Sequence, residues 1–375
     1  MVSKYWFGIN FNKESFSMSR KIYGNKIAFL LFDSIKNSVF HSQVLVPLIA
    51  CLNENKKLTI TIVSFERKNF SLKTIQKIIP EHSRLNIIIK KKPLLISTLS
   101  LRPCVRSLKK FLRRNPFSHI LARGPFAGWI ALRVPIPNIP VTIQARGLAA
   151  EEFRYVMERE RAAGIRAWVK RLFKNYMYWL YKKIEHDVYG CMRANFMIES
   201  VSPALKTYLE KNFGSNPEQV HVCGYDIPAI ISPRQVALWR REVCQELGLP
   251  DDCYVYCYIG SARPWQCVDE MISYFISQDK RDKKKFFLIL SQDRELFEEK
   301  LQDQSVSVQN YCVNSISPDE TYRYLSAADA GLLFREKDPV NWVSRPTKML
   351  EYKSVGLKII HNNTVAWLAE DNSNL

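Results

Sequence analysis

"VSRPTKMLEYKSVGLKII", residues 343–360, crowds Ser, Arg, Thr, Lys and Glu ahead of an apolar turn and then runs into a strand. Pro346 is placed to open a helix as its first residue and Gly356 to end it, because proline presets the helical φ and glycine accepts the left-handed stop. "AGLLF" (330–334) just before it and "LKII" (357–360) at its end are short apolar runs of the kind expected of strands covered on both faces. Strand, helix, strand at this interval is a βαβ unit, which requires a parallel sheet. A helix opening at Pro346 presents free backbone N–H groups and a positive dipole end, a ready anion site. Ser344 and Thr347 add hydroxyls, Arg345 and Lys348 add positive charge, and Glu351 follows Thr347 by one turn on nearly the same face. Phosphate beside a diol, hence a nucleotide, suits those groups. An ordinary capped helix with a solvated Lys and Glu is the alternative, and it needs no ligand.

The same alternation extends backwards. "YVYCYIGS" (254–261), "KFFLILS" (285–291) and "VSVQNY" (306–311) read as strands between the helices "RQVALWRREVCQELGL" (234–249), "WQCVDEMISYFIS" (265–277), "RELFEEKLQ" (294–302) and "SPDETYRYLSAA" (317–328). An earlier series runs "KIAFLLF" (26–32), helix 42–55, "LTITIVSFE" (58–66), "LNIIIKK" (85–91), helix 105–115, "SHILARG" (118–124), "PVTIQARG" (140–147), a long helix over about 151–189 and "ANFMIES" (194–200). In "SPALKTYLEKNFG" Ser202 is set as N-cap and Gly214 as helix stop. A chain of 375 residues exceeds what one core usually supports. The expected organisation is therefore a polar leader (1–25) and two doubly wound α/β domains, 26–218 and 219–375, facing across a cleft that holds the ligands.

Charge separates the halves. Residues 1–200 carry 35 Lys+Arg against 12 Asp+Glu, and residues 201–375 carry 20 against 24, out of a net +19. The first half therefore expects an anionic partner, a membrane surface or a phosphate-bearing acceptor, unless it is merely a soluble basic face. Nucleic acid is not expected, since no reading motif accompanies the charge. The nine cysteines are scattered without a zinc spacing, and Cys253 and Cys257 sit four apart on one face of a strand, so core packing is expected of them. Neither a signal peptide nor a run of about 18 apolar residues is present.

In the second half, "DETYRYLSAADAGLL" (319–333) followed by "SRPTKMLEYKSVGLKII" (344–360) resembles the bacterial family 4 type of GT-B glycosyltransferases, the glycosyl transferases group 1. "YIGSARPWQ" (258–266) looks like that family's first phosphate loop, and "VHVCGYDI", with Gly224 and Asp226, like its interdomain segment. The resemblance implies a GT-B fold and a retaining transfer of a sugar, a hexose by class, from a UDP- or GDP-sugar held by the C-terminal domain. It assigns Arg263 and Lys348 to neutralising the departing diphosphate, Ser261, Ser344, Pro346 and Thr347 to the phosphate cradle, and Glu351 to the ribose hydroxyls. No cofactor and no metal are implied, and no Asp-x-Asp triad occurs. Val343 stands where the family's common form carries a first glutamate, and Val268 where it often carries a lysine.

On the acceptor side Asp33, His41, Arg123, Arg146, Glu151 and Glu152 lie where βα loops should face the cleft. The stretch 151–189 mixes Lys and Arg with Trp168, Phe173, Tyr176, Tyr178, Trp179 and Tyr181, a composition that suits an anionic headgroup layer, with core packing the competing use of each ring. The expected partners are a nucleotide-sugar, a glycan or lipid-linked acceptor of a surface polysaccharide, and the cytoplasmic face of the membrane. A non-catalytic GT-B binding or scaffolding protein is the alternative.

Overall fold

The structure, a computed structural model, describes residues 10–11, 25–37, 40–79, 81–135, 139–158, 165–223, 229–278 and 284–371. It divides into two compact units, Phe16–Asp226 and Ile227–Leu375, the second including Met1–Ser15. The expected boundary after residue 218 falls inside the first unit, and Gly224 and Asp226 lie outside the described residues.

After β1 (Asn10–Phe11) the first unit carries β2 (Lys26–Leu31), α1 (Val46–Glu54), β3 (Thr59–Glu66), α2 (Leu72–Ile78), β4 (Leu85–Lys91), α3 (Arg102–Arg114), β5 (His119–Arg123), α4 (Gly124–Leu132) and β6 (Val141–Ala145). It continues with α5 (Ala149–Glu158), α6 (Ile165–Tyr189), β7 (Phe196–Ser200), α7 (Pro203–Phe213) and β8 (Val220–Val222). Among the described residues its seven strands are all parallel, in the order β4-β3-β2-β5-β6-β7-β8. Because β8 extends the ladder beside β7, residues 220–222 belong to this unit. The central strands are buried along nearly their whole length because helices cover both faces of a parallel sheet. Ser202 caps α7 by accepting the Leu205 N–H, and Gly214 ends it at φ +65°. The single helix expected over 151–189 is two helices, α5 and α6, which pack against each other through Glu151, Tyr178 and Lys182.

The second unit holds β9 (Ala229–Ile230), α8 (Pro233–Glu246), β10 (Tyr254–Ile259), α9 (Val268–Ser277), β11 (Lys285–Leu290), α10 (Arg294–Asp303), β12 (Tyr311–Asn314) and α11 (Thr321–Leu325). β13 (Ala330–Leu333), α12 (Pro339–Trp342), α13 (Thr347–Ser354), β14 (Lys358–His361) and α14 (Ala366–Asp371) complete it. The parallel order is β12-β11-β10-β13-β14, and β1 pairs antiparallel with β9, so part of the expected leader is incorporated here. The strand expected at "VSVQNY" starts later: Val308–Asn310 is a 3-10 turn, and Tyr311–Asn314 pairs with Phe287–Leu290. Cys253 and Cys257 are both buried in one apolar cluster with Val255, as their spacing implied.

α13 is fixed to the sheet by Tyr352. Its ring lies on Gly331, where a Cβ would come within 2.5 Å of the ring, and its hydroxyl donates to the Leu332 carbonyl (3.1 Å) and accepts from the Ile259 N–H (3.2 Å). Asp329 closes the other end of the same strand pair, accepting from the Val255 N–H (2.8 Å) and pairing with Arg240 (3.0 Å). Gly331→Ala should therefore destabilise the protein by about 1–3 kcal/mol through overpacking against the ring, and Tyr352→Phe by a similar amount through the orphaned N–H. Chemical denaturation of each variant checks this, and an unchanged midpoint for both would contradict the role given to Tyr352.

Candidate functional site

In an open α/β sheet, ligands bind outside the carboxyl ends of the strands, at the point where strand order reverses. Each unit has one such point, between β10 and β13 in the second and between β2 and β5 in the first. The sequence-predicted residues fall at both.

In the second unit, β10 is followed by Gly260, whose φ of +136° few side chains tolerate. The missing side chain is what admits Lys348: a Cβ on Gly260 would stand 2.8 Å from the Lys348 Nζ. Lys348 is buried, donates to the Gln266 Oε1 (2.9 Å) and lies 4.1 Å over the Tyr258 ring. Burial, reinforced by the Arg335 charge and opposed by Glu351, holds its amine well below the ordinary lysine range. Around it, Ser261 contributes its carbonyl to the Tyr258 hydroxyl (2.8 Å).

Pro346 is the N-cap of α13 rather than its first residue: its ψ of 127° is extended, and the helix begins at Thr347. No side chain caps that end; the Met349 N–H is taken by the Pro346 carbonyl (3.2 Å), and those of Thr347 and Lys348 are left for an anion. Thr347 and Glu351 are half-buried one turn apart on this helix. Ser344 spends its hydroxyl proton on the Asn341 carbonyl (2.8 Å), so toward a phosphate it offers no free donor. Arg345 stacks over Trp367 (4.7 Å), away from that role.

Arg263 is exposed and carries no ion pair among the described residues. It lines an open depression of about 1010 Å³ with Ala262, Asp293 and Arg294, and Lys348 is not part of that lining. Lys348 thus packs against the loop 260–266 at Gly260 and Gln266, while Arg263 of the same loop lines the depression. Gln266, Tyr258 and Arg335 are members of this site that sequence reasoning missed. The first two lie within the quoted "YIGSARPWQ", but only their contacts distinguish them.

In the first unit, a depression of about 570 Å³ gathers Asp33, Arg123, Arg146 and Glu152. Arg123 lies 3.8 Å from Asp33 and donates to the Gln43 Oε1 (2.9 Å), and the buried Glu66 holds the loop after β2 by accepting from Ile35 N–H (2.9 Å). Solvent reaches Glu152, yet the protein packed around it raises its pKa, Asp33 adding and Arg123 opposing. Lys92, which was not anticipated although it follows β4, lies 4.0 Å over Phe32 and donates to that residue's carbonyl (2.5 Å). Burial lowers its pKa, opposed by Asp33. Phe126, Phe153 and Tyr181 form the aromatic wall.

Two expected acceptor residues are elsewhere. Glu151 is buried against α6, accepting from Lys182 (2.7 Å) and Tyr178 (3.0 Å) and pairing with Arg154 (2.8 Å), because successive helical residues point about 100° apart. Burial works against its charge, but these partners outweigh that and hold its pKa low. His41 is exposed and outside the depression. Of the rings assigned to a membrane, Tyr178 is held by Glu151 and Tyr181 by Phe126 and Phe153 within the protein, Phe173, Tyr176 and Trp179 are exposed, and the Trp168 side chain lies outside the described residues.

No protein-family model matches the sequence, and no curated protein does. Among solved structures the chain is similar to HepE of Anabaena in complex with UDP, with a TM-score of 0.62 at 11% identity over 92% of this chain and 82% of that one. It is also similar to WaaG, a glycosyltransferase involved in lipopolysaccharide biosynthesis (0.58, 13%, 92% and 84%). Sucrose-phosphate synthase of Thermosynechococcus elongatus gives 0.58 at 15% identity, covering 92% and 82%. At these identities the likeness is one of fold, the GT-B class of two parallel α/β domains.

The depressed Lys348 pKa has a thermodynamic consequence. Below the ordinary lysine pKa of about 10.4 the unfolded chain binds a proton that buried Lys348 holds less readily, so the penalty is absent above that pH and grows as pH falls toward the folded-state value. Wild type should therefore gain thermal stability from neutral pH toward pH ~10 relative to Lys348→Met, which lacks the titration. Melting curves of both across that range check it, and parallel pH profiles would refute it.

Proposed function

We propose that the protein is a retaining glycosyltransferase that moves a hexosyl group from a nucleotide-diphosphate sugar, UDP- or GDP-linked, to a hydroxyl of a surface-glycan acceptor carried on a lipid. The observation that carries this is the burial of Lys348 at the switch point of the second sheet, beside the uncapped N-terminus of α13. A lysine is kept out of water there at a real energetic cost, which an arriving diphosphate offsets by restoring its charge. Departure of the nucleoside diphosphate develops negative charge, and Lys348, Arg263 and the α13 N–H groups are fixed donors for it. Glu351 takes the ribose hydroxyls, and Ser344, Thr347 and Pro346 shape the cradle. Such a reaction needs no metal, because these side chains supply the positive charge.

The acceptor is assigned to the depression of the first unit, with Glu152 and Asp33 to orient a hydroxyl and Phe126 and Tyr181 to meet a sugar face. In a retaining transfer the donor phosphate itself can take the acceptor proton, so no protein base is obligatory. The surplus of positive charge in residues 1–200 supports a site of action at the cytoplasmic face of the membrane. Among the described residues no helix is long and apolar enough to cross a membrane, and peripheral docking is the mode proposed. That HepE was crystallised with UDP and with UDP-glucose supports the donor class. Val343, buried and apolar where the family pattern carries a glutamate, favours a second reading, a GT-B protein that binds the nucleotide without turnover.

Calorimetric titration with UDP, GDP and their sugar conjugates should find one tight nucleotide, and Glu351→Ala and Lys348→Ala should each weaken it by about 10- to 100-fold. Arg263→Ala should lower turnover of that donor about 10²- to 10³-fold. No binding by a folded protein would overturn the proposal, and binding without turnover in any acceptor extract would favour the second reading.

A further inference from the structure

A second niche of the first unit, about 420 Å³ in volume, opens between α3, α4 and α6, away from the residues assigned to the acceptor. Its charged lining is Arg102, Arg106, Arg133, Lys183 and Asp187. The one carboxylate is already engaged: Asp187 accepts from Arg133 (2.7 Å) and from the Trp129 indole (3.1 Å), and Arg133 stacks on Trp129 at 3.6 Å. Arg102 and Arg106 are exposed, and among the described residues neither is ion-paired.

Three further observations say what fills the niche. Arg102 is the first residue of α3, at the positive end of the helix dipole, with Leu101 as an uncapped N-cap and no acid in the first turn. An anion there relieves both unfavourable terms. From Glu81 to Glu151 the sequence places thirteen Lys and Arg and not one Asp or Glu between them, so the surroundings attract anions over a wide area.

The third is apolar. Thr98 of the niche belongs to the loop that exposes Leu94, Leu95 and Leu99, at 77%, 72% and 66%. On the other side, Lys183 lies 5.4 Å over the ring of exposed Trp179, and Tyr176 and Leu172 continue the same α6 face at spacings of three and four residues. A soluble anion would explain the arginines but not exposed leucines and aromatics on both rims.

We propose that this niche receives the phosphate of an anionic phospholipid headgroup, held by Arg102, Arg106 and Lys183, while the leucine loop and the α6 aromatics enter the headgroup layer. This rests on the membrane docking proposed above and replaces diffuse attraction by one defined site.

Co-sedimentation of the full chain with phosphatidylcholine vesicles, with and without phosphatidylglycerol, tests it. Wild type should bind only the anionic vesicles. The double variant Arg102→Ala/Arg106→Ala should lose about tenfold or more in affinity, and Lys110→Ala/Arg114→Ala, an equal charge change on the same helix outside the niche, less than about threefold. Equal losses in both would overturn the defined site while leaving membrane docking in place. No vesicle binding by wild type would overturn both. Competition by soluble glycerol phosphate, together with unweakened binding by Leu94→Ser/Leu95→Ser, would assign the niche to a soluble phosphate compound and overturn the bilayer. All three double variants change exposed side chains, and equal melting temperatures confirm that folding is unaffected.

Discussion

The placement of Tyr352 is the constraint on which the second unit's site depends. One ring fills the space over Gly331, and one hydroxyl bridges β10 and β13 where the strand order reverses. Because α13 is pinned there, Lys348, four residues earlier and so on nearly the same face, arrives at the end of β10 beneath Gly260. Both glycines are therefore required by close approach, Gly331 for a ring and Gly260 for an amine, and only Gly260 needs its unusual φ as well.

Charge is managed differently in the two units. In the second, a single amine is buried beside a ring and an amide and is left short of a counterion, a pre-formed demand for an anion. In the first, Arg123, Asp33, Glu152 and Lys92 face one depression: burial lowers the pKa of Lys92 against the pull of Asp33, and burial raises that of Glu152, with Asp33 adding and Arg123 opposing. Nearby, burial pushes Glu185 up to about 8 against the pull of the Ala150 and Ala149 N–H groups at the start of α5. Glu151 and Glu152, successive on α5, turn one to α6 and the other to the depression.

Much of the architecture was legible because parallel strands covered on both faces are continuous apolar runs, and runs such as "KIAFLL" and "KFFLIL" carry no competing period. Boundaries were less legible where two adjacent stretches were equally strand-like. "VSVQNY" and "YCVN" differ in which one finds β11 beside it, and pairing with another strand is not written in local pattern. Likewise one amphipathic pattern covers 151–189, and whether it is one helix or two depends on what it packs against.

The sequence by itself determined the alternation of strands and helices, the asymmetry of charge between the halves, and the polar segment at 344–351 as the place to look for an anion site. Only the tertiary structure decided which members of that segment face one another. Ser344 turns to Asn341 and Arg345 to Trp367, while Lys348 is carried inward. It also decided that neighbours Glu151 and Glu152 part company, and that Arg133, Lys183 and Arg102, distant along the chain, share a niche. The reason is that spacing fixes the face of an element on which a residue lies, whereas the neighbour across that face is set by how separate elements pack.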